Sequence, residues 1–163
     1  MLRIMKIVLV LTVAMWGLVG AFGNITDWEG TKGAIAATTS MSTFEGGAES
    51  WRATSNPAVI MAGAIFILTL KIMTGLLCLA GAWRMAAARK HDAAMFQHAK
   101  SLALTGCAVA VFLLFAGWIV IAESWFELWR SDVLRDVGLG SAFRYGGMIG
   151  VIGIFVGMPD EVR

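Results

Sequence analysis

Charge is scarce in this sequence: Lys, Arg, Asp and Glu make up 15% of its 163 residues, against about 25% in an ordinary soluble domain. Proline occurs twice, as Pro57 and Pro159, so long helices meet few internal breaks. The two cysteines, Cys78 and Cys107, both lie in apolar runs. With none in the polar segments, no disulfide framework is available, and free buried thiols are expected. The two histidines, His91 and His98, share one short basic segment, so this chain alone offers no histidine pair to a haem within a bilayer. Without Cys or carboxylate at ligand spacing they form no metal site, and a solvated or headgroup-facing position is expected. No Gly-rich phosphate loop, nucleophile elbow or H-E-x-x-H is present. The sequence therefore points to no catalytic residue and calls for no cofactor.

What is abundant is apolar surface: 58% of residues are hydrophobic and the mean hydropathy is +0.76. The apolar residues gather in four long blocks, each near the roughly 20 residues that a bilayer-spanning helix needs. The spans are predicted at about 7–23, 58–83, 101–122 and 141–158, in one membrane domain covering 1–163. The first run exceeds the usual h-region of a signal peptide and lacks a clean A-x-A site, so a retained span is expected. Pro57 suits the first turn of the second helix, and Pro159 stops the fourth. The fold class is all-α, a polytopic membrane protein with four transmembrane helices and an outer interfacial amphipathic helix.

Basic residues set the direction. The inner side would hold Arg3, Lys6, Arg84, Arg89, Lys90, Lys100 and Arg163, and the outer side Lys32, Arg52, Arg130, Arg135 and Arg144. The basic middle loop RMAAARKHDAAMFQHAK decides for cytoplasmic N- and C-termini. Trp28, Trp51, Trp125 and Trp129 fall near the outer edge and Trp83 at the inner one, as interfacial rings do. The bilayer accounts for the basic edges, and no nucleic-acid partner is expected.

Between the first two spans, Asn24–Asn56 reads as an outer segment in which Lys32–Met41 has the makings of a short helix. After the third span, ESWFELWRSDVLRDVG spaces Trp125, Trp129 and Val133 by four, the pattern of a helix lying in the interface. An anchor there is the plain reading, and a docking face for a partner the sharper one. The inner loop, rich in alanine, should extend spans two and three into a helical hairpin. Span four carries Ala142, Gly146, Gly150, Gly153 and Gly157 on one stripe. Span three offers Ala103, Cys107, Ala110 and Gly117, and span one Gly17 and Gly20. Small residues at this spacing let membrane helices approach closely, within the chain or against another subunit.

Lys71 is the conspicuous residue, near the middle of span two. A lysine there costs about 2.5–3.5 kcal/mol or more, and half of the ~30 Å hydrocarbon core exceeds its reach. No acid lies in any span to pair with it. Thr12, Thr69, Thr74 and Thr105 are the expected intrachain acceptors, and a partner's carboxylate or a ligand is the other solution.

These segments carry a resemblance. Gly23-Asn24 with Asp27, Trp51-Arg52, LLCLAGAWR at Leu76–Arg84, Trp125-Phe126 with Trp129, and Phe143-Arg144 together resemble a bacterial family known only as predicted small integral membrane proteins, a domain of unknown function. The resemblance covers most of the chain. It implies a histidine and an aspartate around Ser40-Met41-Ser42 and an acid in span two. Here Ala37 and Ser42 stand in the first region and Lys71 in the second, so any activity resting on those groups is not implied for this chain. The family implies no known reaction.

The functional expectation is a non-catalytic accessory or structural subunit of a larger inner-membrane complex of respiratory or photosynthetic type, with the bilayer and other membrane subunits as partners. Its contact residues would be Lys71, Gly146, Gly150, Gly153, Gly157, Trp125 and Trp129. The alternative is a small homo-oligomeric transporter or channel using Lys71.

Overall fold

A computed structural model describes residues 1–160, and Arg163, counted above among the inner basic residues, lies outside them. Four helices are long and apolar enough to cross a membrane: Leu2–Thr26, Pro57–Ala88, Ala93–Trp125 and Arg135–Gly157. Each contains or nearly contains its predicted span and overruns it, because the alanine-rich and polar residues at the edges stay helical.

We number the elements α1 (Leu2–Thr26), α2 (Trp28–Thr39), α3 (Pro57–Ala88), α4 (Ala93–Ala99), α5 (Ser101–Phe112) and α6 (Ser141–Gly157). Beyond Phe112, α5 continues as wider π-type turns through Leu113–Trp125. Helix starts follow local chemistry. Asn56 Oδ1 accepts from Ala58 N ahead of Pro57, and Asp27 Oδ1 accepts from Gly30 N. Asp92 Oδ1 likewise caps α4 through Met95 N. Each cap satisfies an N–H group that has no partner within its helix.

The spans form a closed ring in which α1 packs on α3, α3 on α5, α5 on α6 and α6 back on α1. Its interior holds Val10, Val13, Met85, Ala103, Ala110 and Val156, all nearly inaccessible. Lipid tails are as apolar as these side chains, so the gain comes from close packing. Glycine makes the closest approaches. A β-carbon on Gly17 would lie 2.8 Å from Gly75 N and Lys71 O, and one on Gly106 would lie 2.5 Å from Cys78 Sγ. Phe22, Trp83, Phe112, Phe115, Phe143 and Ile154 are exposed on the outside of the bundle.

At 32 residues, α3 is about 48 Å long and overruns a ~30 Å core. Two helices in succession run antiparallel along it. α1 follows its C-terminal half, where Arg3 Nη1 donates to Arg89 O at 3.1 Å. α2 follows its N-terminal half, where a methyl on Gly63 would sit 3.1 Å from Ile35. Asp27 (φ −115°, ψ 62°) is the joint between them. The helix expected at Lys32–Met41 therefore begins earlier, at the Asp27 cap. It ends before Met41, whose φ is +52°.

The outer segment after α5 departs from its expected form. It is helical in pieces: the π-type turns end at Trp125, a 3-10 turn spans Leu128–Arg130, and further π-type turns span Arg135–Gly140. Glu127, in the left-handed region at φ +51°, breaks the chain because its carboxylate is taken by Arg52 and Arg130. Trp125, Trp129 and Val133 thus share no continuous helix face, although all are exposed. Trp125 instead meets Trp51 edge-on, with ring centroids 5.6 Å apart.

Candidate functional site

Lys71 projects from the middle of α3 toward the last turns of α1. Its Nζ donates to Asn24 Oδ1 at 2.6 Å and lies 3.5 Å from Gly20 O. Glycine at position 20 leaves room for the stem, since a β-carbon there would lie 3.3–3.4 Å from Lys71 Nζ, Cε and Cδ. Asn24 is held in turn, its Nδ2 donating to Thr31 Oγ1 at 3.1 Å on α2. The ammonium also sits at the carbonyl end of α1, the negative end of its dipole. Three of the four threonines expected as acceptors play other parts. Thr12 and Thr105 donate to carbonyls of their own helices, and among the described residues the buried Thr74 hydroxyl has no partner. Hydropathy ends span one at Gly23 and puts Asn24 in the outer segment, away from Lys71; α1 continues through Thr26 and brings the amide to the lysine.

Beside this cluster opens a pocket of about 310 Å³, lined by Lys71, Asn24, Asp27, Thr31, Leu114 and Trp118 among others. A second pocket of about 380 Å³, almost wholly apolar, shares Ala34, Ile35, Ile67 and Trp118 with it and runs on past Gly63 and Phe66.

At the opposite end of the ring, the start of α1 and the residues just after α6 come together. Lys6 and Lys100 both reach Asp160, and both donate to Met158 O, at 2.7 and 2.9 Å. All three charged side chains are almost fully buried. Burial works against the ionised Asp160 carboxyl, but the hydrogen bonds and charges of Lys100 and Lys6 outweigh it and hold its pKa below the usual carboxylate range. In the sequence the two lysines carry only an orientation signal, and nothing in the local pattern around Asp160 marks a pair across more than 150 residues. Arg3 and Lys100 also lie over the face of Phe96. His91 and His98 line one shallow pocket with Trp83 and Met95.

The outer loops are tied by a third polar cluster. Glu127 receives Arg130 Nη1 at 2.9 Å and also pairs with Arg52. Arg130, then Arg52, hold the Glu127 carboxyl below its ordinary pKa. Arg130 Nη2 also donates to Glu45 O, with the guanidinium stacked over Phe44. These contacts pin the segment between α2 and α3 to the one between α5 and α6.

The glycine stripe of α6 faces α5. β-Carbons on Gly146, Gly153 and Gly157 would meet Leu114, Cys107 and Leu104 at 3.5–3.7 Å, whereas one on Gly150 would meet nothing within 4 Å. A shallow groove of about 710 Å³ results, floored by Gly150, Gly153 and Gly157 and walled by Val111, Phe112 and Phe115. The sequence-predicted contact residues therefore occupy three places: Lys71 in the polar pocket, the glycines in this groove, and Trp125 and Trp129 on the outer loops.

Among the described residues, no three His, Cys, Asp or Glu side chains cluster as metal ligands. No curated protein matches the chain, and no solved structure does. The model of one family, described as predicted small integral membrane protein (DUF2165), matches residues 2–159, and the chain belongs to that family.

Proposed function

We propose that the protein is a non-catalytic accessory subunit of a larger complex in a cell inner membrane, with both termini on the cytoplasmic side. The groove between α5 and α6 carries this reading. Its floor is glycine, its walls are aliphatic and aromatic, and Gly150 leaves open a space that a side chain from a neighbouring helix can enter. In lipid, such a surface gains by receiving another helix, because close packing is what drives association there. The orientation is supported by Arg3, Lys6, Arg84, Arg89, Lys90 and Lys100, which lie toward the end where Lys6 meets Asp160, as the positive-inside tendency favours.

For Lys71 the sequence left two solutions open, acceptors within the chain or a partner's carboxylate or ligand. Asn24 and Gly20 supply oxygens from within the chain, so a partner's acid is not needed to keep it in the membrane. Lateral assembly then rests on the groove. Gly150→Leu should fill the groove without disturbing the fold, and co-purifying subunits should be lost in mild detergent. Gly147→Leu, on a position that also meets nothing within 4 Å but lies outside the groove lining, should leave them in place. Equal recovery of partners by both variants would remove the groove from the interface.

A further inference from the structure

We propose that the paired pockets beside Lys71 form one binding site for a single-chain lipophile with a carboxylate head, of the fatty-acid type. The polar compartment offers the Lys71 ammonium, whose partners are a neutral amide oxygen and a backbone carbonyl. No carboxylate among the described residues forms an ion pair with it. Two of its three N–H groups are directed to those oxygens, which leaves one donor and a full positive charge for an anion. The first turn of α2 contributes Gly30 and Thr31 to the same wall, at the positive end of that helix.

Asp27 is the acid bordering this compartment. It is exposed, and its Oδ1 accepts from Gly30 N, so the α2 N-terminus offsets its charge locally. The adjoining apolar compartment, about 380 Å³, is at the small end of ligand cavities and suits one chain rather than the two tails of a phospholipid. A tail gains little by leaving lipid for such a lining. Selectivity must therefore come from the head, where an ion pair in a low-dielectric setting is strong.

The test uses the purified full-length protein in nanodiscs with palmitate as the probe and methyl palmitate and a short-chain ubiquinone as comparisons. Wild type should bind palmitate saturably and prefer it to both neutral probes. Lys71→Gln should weaken palmitate binding by on the order of tenfold or more, with little change for methyl palmitate. Ala34→Trp, at an exposed lining position common to both compartments, should abolish binding while Lys71 remains, and thermal unfolding of each variant reports whether the fold is kept. Palmitate binding that is absent, insensitive to Lys71→Gln, or matched by methyl palmitate or the quinone would overturn the proposal.

Discussion

Lys71 on α3 and Asn24 on α1 meet through a 2.6 Å hydrogen bond, at the level where α1 gives way to α2. This contact solves the problem that a lysine poses within a membrane helix. The acceptor comes from a residue that hydropathy assigns to the loop, and Gly20 and Gly17 allow α1 close enough to deliver it.

Asn24→Leu should therefore destabilise the fold by about 1.5–3 kcal/mol, the range for a hydrogen bond to a charged group. Lys71→Met added to it should recover much of that loss, because no charge is then left without its acceptor. Denaturation of the four proteins of this cycle in detergent measures the coupling. Simple additivity would show that the two residues act separately.

The clasp around Asp160 is expected to be asymmetric in its response to substitution. Asp160→Asn removes the carboxylate that both buried lysines, Lys6 and Lys100, reach, and breaking a buried ion pair in this way costs about 3–5 kcal/mol. Lys6→Met keeps the Lys100–Asp160 pair and should cost clearly less. Thermal unfolding of both variants in one detergent ranks them, and the reverse order would mean that the carboxylate is not the centre of the cluster.

Acid should loosen the same clasp. The folded-state pKa of Asp160 is depressed, so its contribution is fully present above the unfolded carboxylate value of about 3.9. It is lost as pH falls through the lower folded value. Stability should accordingly hold between about pH 7 and 4 and fall below that. Glu127, depressed by Arg130 and Arg52, acts in the same direction from the outer side. Asp160→Asn and Glu127→Gln should each flatten part of the acid limb; melting curves against pH in which neither does so would assign that limb to other groups.

Glycine positions separate packing from lipid contact. Gly17→Leu drives a side chain into the backbone of α3 at Gly75 and Lys71, and overpacking of this kind costs about 1–3 kcal/mol or more. Gly147→Leu enters open space and should be close to neutral. Comparing their melting temperatures checks which helix pair is the tight one.

The spans were legible because twenty-residue apolar runs have few alternative fates, and the capping residues Asn56 and Asp27 stand where they act. What could not be read was long-range or conformational. Asp160 meets Lys6 and Lys100 only because an even number of spans returns the chain to its starting side. The periodic Trp125, Trp129 and Val133 predicted a helix, but the left-handed Glu127 between two arginines overrode that period, a tertiary effect with no local mark. The α6 stripe was visible as packing surface, yet which of its glycines stay open depends on where Leu104, Cys107 and Leu114 fall on α5.

The most direct test of the central claim is the mass and composition of the particle that a tagged chain brings out of its native membrane in mild detergent. An accessory subunit should emerge with a defined set of other membrane proteins at fixed stoichiometry. A lone chain, or a particle made only of copies of this chain, would contradict that role and turn attention to transport through the Lys71 pocket.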